Sequence, residues 1–547
     1  GHPPRARPAP AGRPRSGVED VMDDARRPKS RTGSDRQEPE PAPAHSPRPQ
    51  GSTGPAGLTR RSLLHGGVLA TALAALELAG RSSTVPMRTV SASSPGDRAG
   101  VPALPDIQFD IAGYTAPVTT EDGVEVQFGP VHTLFVTARL LRAPTRMDQA
   151  KLSGALAAIE RAYPFSPAGV FTFVSYGLPY FSRLPGGLHG PLVSAHMPRL
   201  TSAAGRYALE EAVAGPTDVG PANPGIVKRR FNVPVSIEDN DLLFTLRSDD
   251  AGHIQDVLRW LGGSQVLAGR PQPSPHLEDL LAFTSSRAMF TQIGLPRKLA
   301  DAESLVYAFM VNPKSPMWMG FADQQVAGSA PAADVTFRAS GLTTCGPGDY
   351  FDHGAVQHLS HVILDLKQFY DVDDAGVPGD DAAFSERVQY MFRSTPPPSA
   401  GNADQITDGG GPAFLPNTFR GTDDAELSAR GIGTPEGEHR IGHLSCLQRS
   451  SRRADGSPLH LRMDGPGYDS MDVPDGSAQP KLEFTAFVPT AEFFARMRTD
   501  QASLDLASRH GVPEDENGLE RFLTATRRQN FLTPPRRHRA FPLVELI

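Results

Sequence analysis

The chain has 547 residues, with 54 Lys and Arg against 61 Asp and Glu and a formal net charge of −7. The first 80 residues hold 12 of the basic and 8 of the acidic groups, which leaves 42 basic against 53 acidic groups and a net charge of −11 for the rest. Because phosphate binding needs a basic face, this charge predicts that nucleic acid is not a partner.

The first 58 residues are rich in Pro, Arg, Ser and Gly. Such a segment buries too little apolar surface to offset the entropy of ordering, so residues 1–58 are predicted to be disordered. About 450 residues remain beyond this segment and the signal region that follows it, which is enough for two domains with their own cores.

A signal pattern follows in residues 59–95. Arg60 and Arg61 stand directly after Thr59 and before a weakly hydrophobic run. This run has about 14 apolar residues, whereas a membrane span needs roughly 20. The pattern predicts a twin-arginine signal and a short linker, and hence a protein exported by the twin-arginine machinery and either secreted or held in the cell envelope. The alternative is an ordinary signal peptide or a short membrane anchor.

The next part of the chain alternates between strand and helix patterns. Residues 131–140 have strand composition, and Thr145 can cap a helix with one apolar stripe. Residues 169–176 and 241–246 are further predicted strands. Apolar residues at i, i+3, i+4 and i+7 predict a helix over residues 254–261. The order is β-α-β followed by β-α.

The second half repeats this order. Residues 355–366 are a predicted strand and residues 385–392 a predicted helix. Another strand is predicted over residues 481–488, and Thr490 can cap the helix after it. Residues 531–535 end the last predicted element.

This repetition predicts an α+β fold of two ferredoxin-like sandwich domains. The N-terminal domain, which carries Asp323, is expected over residues 96–335, and the C-terminal domain over residues 336–547. Within the second half, residues 394–437 are rich in Pro, Gly and Asp. A loop of that length inside a compact domain is usually functional or disordered.

Three residues are candidates for chemistry. Asp323 lies three positions after Gly320. His443 precedes a polar stretch, and Arg462 lies 19 positions after His443. Each has a structural alternative: the aspartate as a turn former, the histidine as a hydrogen-bonded polar group and the arginine as a surface ion-pair residue.

The layout resembles the dye-decolourising peroxidases, haem enzymes built of two ferredoxin-like sandwiches, many of which are exported through the twin-arginine pathway. Members of that family carry a Gly-x-x-Asp-Gly loop, then a haem-binding His followed closely by Asn-Pro-Arg, and further along an Arg. Gly320 and Asp323 match the loop, Gln448 and Arg449 match part of the second motif, and the resemblance spans roughly residues 105–547.

The resemblance implies a haem b cofactor in a cavity that belongs mainly to the C-terminal domain. His443 would be the axial ligand of the haem iron, with His439 as its rival, and Arg462 would also contact the haem. Asp323 would move a proton during peroxide cleavage and Arg462 would stabilise the developing charge, so these two are the expected catalytic residues. The carboxylate expected beside the ligating histidine is left open among Asp515, Glu516 and Glu520.

The expected function is therefore an exported haem peroxidase that reduces hydrogen peroxide and oxidises an unknown donor. Gln324, however, stands where the loop of the family closes with Gly, and Gln adopts positive φ reluctantly. The first alternative is a haem-binding or haem-delivering relative with weakened catalysis. The second is a structural or carrier protein on the same fold without haem. The resemblance is compatible with a homo-oligomer.

Three further histidines, His353, His358 and His361, have offsets of 5 and 3. Side chains on a strand alternate between its two faces, so odd offsets place neighbouring histidines on opposite faces. They are expected to be structural rather than a metal site.

Overall fold

The computed structural model describes residues 103–121, 124–302, 315–321, 326–370, 423–432, 437–443, 446, 449, 451–453 and 457–547. All of these belong to one compact unit of the chain. The predicted disordered segment 1–58, the signal region 59–95 and the predicted helix over 385–392 lie outside the described residues, as do Asp323 and Gln324.

The described part of the chain contains both strands and helices. The strands are β1 (Thr119–Glu121), β2 (Val124–Val126), β3 (His132–Leu140), β4 (Phe171–Tyr176), β5 (Ser236–Ile237), β6 (Leu242–Ser248), β7 (Val266–Leu267), β8 (Arg270–Pro271), β9 (Leu281–Phe290), β10 (Ala355–Leu364), β11 (Leu461–Arg462), β12 (Gly465–Asp469), β13 (Gln479–Val488) and β14 (Leu523–Thr533). The helices are α1 (Arg146–Ala162), α2 (Leu178–Ser182), α3 (Pro191–His196), α4 (Ala251–Leu261), α5 (Leu295–Ala302), α6 (Leu366–Phe369), α7 (Asp423–Ala429), α8 (Ala491–Ala502) and α9 (Leu504–His510). Within the described residues, none of these helices has the length and apolar character needed to cross a membrane.

Eight strands form a closed antiparallel ring in the order β10, β13, β12, β9, β3, β6, β4, β14. The ring closes because β10 pairs with both β13 and β14. Of the remaining strands, β5 pairs in parallel with β14, and β11 pairs with β13. The two halves of the ring are joined where β12 pairs with β9 and where β14 pairs with β4.

Each half of the chain contributes four adjacent strands to this ring. In both halves the spatial order is fourth, first, third, second, with β9-β3-β6-β4 in one and β14-β10-β13-β12 in the other. This is the order of a ferredoxin-like β-α-β-β-α-β unit. The α+β class is therefore confirmed, while the division into domains at residues 96–335 and 336–547 stays a prediction.

The two sets of four strands meet at two narrow junctions. Gly467 of β12 pairs with Met289 of β9, and Leu532 of β14 pairs with Tyr176 of β4. Each junction has a single register pair, whereas neighbouring strands within a half pair over many residues. The contacts that close the ring are thus few compared with those that build each half.

Helices cover the outer face of the ring, and polar groups fill part of its inside. α1, α4 and α8 bury their apolar stripes against one large cluster of strand residues. On the other face, Ser175 Oγ donates to Gln357 Oε1 at 2.7 Å, and Gln357 Nε2 lies 3.2 Å from Thr245 Oγ1. Buried polar groups are tolerated only with such partners, and this network supplies them.

The structure contains one of the two helix caps predicted from the sequence. Thr145 precedes α1 and forms the predicted cap, because its hydroxyl accepts the Asp148 amide while the Asp148 carboxylate accepts the Thr145 amide. Thr490 precedes α8, but its side chain makes no capping hydrogen bond. The capping role predicted for Thr490 is therefore wrong, although the helix begins where expected.

Two strands of the ring, β9 and β12, are not predicted by the sequence. β9 carries Ser285 and Ser286 in its middle, which breaks the apolar pattern, yet Ser285 is buried and its hydroxyl bonds that of Thr137 at 2.8 Å. β12 contains Gly467, a residue disfavoured in strands. A Cβ at that position would lie 3.1 Å from the carbonyl oxygen of Ala288, so the close approach of β9 favours glycine there.

Candidate functional site

His443 lies at the start of a short helical stretch that is tied to the chain near the C-terminus. The amide of Cys446 donates to the carbonyl of Gly442 at 3.2 Å, which is a helical i to i−4 hydrogen bond. Just before it, Ile441 forms a parallel bridge with Asn517. These backbone contacts fix the position from which the His443 side chain projects.

The His443 imidazole contacts an aromatic ring and an amide. The rings of His443 and Phe321 pack edge to face, with their centroids 5.0 Å apart and their planes at 64°. Gln501 Nε2 lies 3.2 Å from His443 Nδ1. Within the described residues, no hydrogen bond to His443 Nε2 is formed. The side chain of His443 is half-buried.

The environment keeps this imidazole neutral. Burial lowers the pKa of His443 to about 3; the Glu520 carboxylate opposes this effect, and the charges of Arg462 and Arg498 add to it. At neutral pH the side chain is therefore uncharged, and a neutral imidazole is the form that binds a metal ion.

Behind His443, a hydrogen-bonded chain leads to a buried carboxylate. Gln501 and Arg498 both lie on α8, and Arg498 Nη1 donates to Gln501 Oε1 at 2.5 Å. The Arg498 guanidinium also donates to both carboxylate oxygens of Glu520, at 3.1 and 2.8 Å. The carboxylate nearest to His443 along this chain is thus separated from it by an amide and a guanidinium.

Glu520 is itself held by several groups. The Thr217 hydroxyl donates to its carboxylate, and the Lys228 ammonium donates to its backbone carbonyl. Burial raises the pKa of Glu520, but the charges of Arg498 and Lys228 and the Thr217 hydrogen bond outweigh it, so the pKa is lowered overall. Of the other carboxylates considered from the sequence, Glu516 pairs with Arg440 at 3.3 Å.

The orientation of the Gln501 amide decides which nitrogen of His443 carries the proton. Because a guanidinium only donates, the amide oxygen faces Arg498 and the amide nitrogen faces His443. His443 Nδ1 then accepts a hydrogen bond, and the proton of the neutral ring lies on Nε2. Ligation of a metal through Nε2 would require the opposite tautomer, and hence a turn of the Gln501 amide.

Arg462 lies at the end of the short strand β11, which pairs with β13 at Phe487 and Ala486. Its backbone amide donates to Ser329 Oγ at 3.0 Å. The structure brings its charge close enough to lower the pKa of His443. Of the three residues predicted for chemistry, His443 and Arg462 lie in the described part of the chain and Asp323 lies outside it.

His439, the rival ligand, is placed differently. It is exposed, and its Nδ1 lies 2.8 Å from the carbonyl oxygen of Ala429, to which it donates. Arg449, from the motif after His443, forms a two-pronged pair with Asp505 of α9 at 2.9 Å for both contacts. Arg449 therefore fixes the helical stretch rather than pointing to the imidazole.

The histidines of the second half do not form one site. His353 Nδ1 lies 2.8 Å from an Asp106 oxygen, and His358 Nδ1 lies 2.7 Å from Asn530 Oδ1. His361 is on the opposite face of β10 from His358, where it pairs across the sheet with Glu483. His353 also lies with Asp106 and Asp352 in a group that could hold a metal ion by distance, so the structural role expected for these histidines stays a prediction.

His361 belongs to a buried group of charges. Its Nδ1 lies 2.7 Å from Glu483 Oε1, and its Nε2 lies 3.2 Å from Lys481 Nζ. Because an ammonium only donates, Nε2 accepts and Nδ1 donates to the carboxylate. Lys481 also pairs with Asp469 at 3.3 Å. His361, Asp469 and Glu483 could together hold a metal ion by distance, but the ammonium already provides the cation that contacts His361 and Asp469.

The sequence does not predict the chain of Gln501, Arg498 and Glu520. Arg498 and Gln501 stand three residues apart on α8 and are both buried. Their spacing places them on one side of the helix, but only the structure shows that this side is buried.

A family model described as a family of unknown function, DUF7405, matches residues 211–535. The match covers more than half of the chain and includes His443, Arg462 and α8. No curated protein matches the chain.

Several solved structures are similar to this chain, and they are DyP-type peroxidases. Those from Cellulomonas bogoriensis and Streptomyces coelicolor each have 14% identity and a TM-score of 0.44, with 78% of this chain and 95% of the other chain covered. A variant of DypB from Rhodococcus jostii in complex with heme has 12% identity and a TM-score of 0.39, with 75% and 94% covered. The resemblance noted in the sequence is thus also found among solved structures.

Proposed function

Since the chain belongs to DUF7405, a family of unknown function, we propose from its site that it is a haem peroxidase of the dye-decolourising type. The observation that carries the proposal is the His443 imidazole, which is neutral, half-buried and, among the described residues, without a hydrogen bond at Nε2. Hydrogen peroxide and an unidentified reducing donor are its substrates, and export follows the twin-arginine route.

The side chains fit haem in donor type. A neutral imidazole is the form that ligates haem iron, and the His443 side chain is neutral and only half-buried. Haem b, when bound, would supply the iron and the redox chemistry that split the O–O bond of peroxide. For His443 to act as its ligand, the Gln501 amide turns so that its oxygen accepts the Nδ1 proton, and Arg498 keeps its two hydrogen bonds to Glu520.

The other predicted residues act on charge and protons. Arg462 stays protonated and holds a positive charge near the site, where negative charge develops during peroxide cleavage. Asp323, by the resemblance, accepts and returns the peroxide proton. We also propose that Gln324, which stands where the loop of the family has Gly, affects this proton transfer by Asp323.

A second candidate function is haem binding with weak catalysis. The observation that favours it is the amide of Gln501 at His443 Nδ1, where a carboxylate would make the imidazole a stronger electron donor. Arg498 neutralises the nearby Glu520 and so removes the only described carboxylate on this chain of hydrogen bonds.

The first experiment measures haem binding by the full chain expressed with a haem supply. We expect a Soret band in the wild type, its loss in His443→Ala and its retention in His439→Ala, which serves as the matched control because His439 is exposed. A normal Soret band in His443→Ala together with a loss in His439→Ala would reverse the assignment. Absence of the band from all three proteins would leave the haem-free carrier as the function.

The second experiment separates the two candidates by peroxide-driven oxidation of a dye. Gln501→Glu places a carboxylate beside Nδ1 and should raise the rate by roughly 10–100-fold if the amide limits catalysis. A wild type that already turns over fast and does not respond to Gln501→Glu would exclude the weakened relative.

For export, changing Arg60 and Arg61 together to Lys keeps the charge and should retain the protein in the cytoplasm. Unchanged export of this variant would exclude the twin-arginine route.

A further inference from the structure

A cavity of about 330 Å³ lies between the segment that precedes β1 and the chain on either side of β11. Its volume is in the range of cavities that hold small organic molecules. Apolar side chains form much of the wall: Phe109, Ile111, Met289, Leu461 and Met463. The cavity therefore has an apolar wall against which a small molecule can pack.

One buried cation, Arg247 of β6, faces this cavity. Only 6% of Arg247 is exposed, and its Nε donates to Thr133 Oγ1 at 2.9 Å. A Cβ built on Gly129 would lie 2.9 Å from Arg247 Nη2, so the glycine leaves the room that the guanidinium occupies. Among the described residues, neither Nη1 nor Nη2 forms a hydrogen bond. The end of the guanidinium fork is thus open towards the cavity.

The charge of Arg247 is not compensated by an ion pair. Burial lowers the pKa of Arg247 to about 10, with Asp249 acting in the opposite direction, so the group remains protonated at neutral pH. Within the described part of the chain, no carboxylate lies at ion-pair distance from it. A buried charge without a partner is costly, and an anion in the cavity would supply the missing partner.

The acidic groups of the cavity wall do not take this place. Asp110 and Asp464 line the cavity, but neither pairs with Arg247. Burial raises the pKa of Asp110, which makes its carboxyl easier to protonate when an anion binds nearby. Arg462 also lines the cavity and adds a second positive charge to its wall.

We propose that this cavity binds a small organic acid, with its carboxylate on the open fork of Arg247 and its apolar body against Phe109 and Met289. A carboxylate matches the two parallel donors of a guanidinium, and such two-pronged pairs are the strong form of this contact. The cavity shares Arg462 with the proposed haem site, but the contact of the acid with Arg247 requires no haem. A propionate of haem has the same chemistry, however, so the experiment includes a comparison that distinguishes the two sources.

The experiment titrates benzoate into the full, haem-free chain and follows binding by calorimetry. Benzyl alcohol, similar in size but uncharged, is the matched ligand. We expect benzoate to bind and benzyl alcohol to bind at least about tenfold more weakly. Arg247→Met should weaken benzoate binding by roughly 10–100-fold, the usual range for losing a charged hydrogen-bond partner. Arg259→Met, at an exposed position on α4, should leave it unchanged.

Arg247→Lys covers the case in which the Met variant does not fold. It keeps the charge but loses the fork, and it should bind benzoate more weakly than the wild type. Equal binding of benzoate by the wild type and a folded Arg247 variant would overturn the proposal, as would equal binding of benzoate and benzyl alcohol. Loss of benzoate binding when haem is loaded would assign the carboxylate at Arg247 to the haem and overturn the proposal of a free acid.

Discussion

The neutral state of His443 should make the protein sensitive to mild acid. Its pKa is about 3 in the folded protein, compared with an ordinary value of 6.5. Between these pH values the unfolded chain binds a proton that the folded protein does not, so the free energy of unfolding falls as the pH drops from 6.5 towards 3. At pH 4.5 the two-unit gap corresponds to about 2.7 kcal/mol. Because part of the ring is accessible, we expect about half of this.

The assay is urea unfolding of the haem-free protein at pH 7.5 and pH 4.5. His443→Gln cannot take up the proton, so it should lose about 1–2 kcal/mol less than the wild type between the two pH values. Other buried histidines, His358 and His460, also have lowered pKa values. They contribute equally to both proteins, so their effect cancels in the difference.

His439→Gln is the matched control, since His439 is exposed. It should show the same loss of stability between pH 7.5 and 4.5 as the wild type. The reasoning is refuted if His443→Gln loses as much stability as the wild type over this range, because the imidazole would then be protonated equally in the folded and unfolded states.

Two further predictions concern buried charges, both measured as the free energy of unfolding in urea. Arg498→Met leaves the buried Glu520 carboxylate without its two-pronged partner and should cost about 3–5 kcal/mol, of which adding Glu520→Gln should restore a part; no recovery in the double variant would contradict this. Lys481→Met removes the donor to His361 Nε2 and should cost about 1–3 kcal/mol, whereas Lys298→Met, at an exposed position, should cost little; equal effects of the two would argue against the buried contact.

Much of the fold can be predicted from the sequence, because its elements have strong local signals. The strand over 131–140 and the helix capped by Thr145 are found within two residues of their predicted bounds. The closed ring cannot be predicted in this way, since an alternating pattern reports which residues are buried but not which strand lies alongside. β12 is missed because Gly467 is favoured by the approach of a neighbouring strand, and local propensity does not contain that information.

The candidate site is predictable only in part. The charge of Arg462 acts on His443, and the roles expected for Arg462, His443 and Asp323 stay predictions. The chain of Gln501 and Arg498 is not predictable from periodicity, because polar positions on a helix usually face solvent and only the tertiary structure shows that these are buried. The burial of Arg247 is not predictable for the same reason, because in the sequence it is one polar residue in a strand.

The closed ring also has a consequence for how the chain is made. β14 closes the ring against β4, and the segment after it packs on the first half, where Arg539 pairs with Glu160 of α1 and its carbonyl accepts the Tyr176 hydroxyl. During translation, the strands of the first half therefore keep an unpaired edge until β14 has emerged from the ribosome. Such edges pair readily with other nascent chains. A chain truncated before residue 523 should aggregate, and chaperones should bind the growing chain most strongly in this interval.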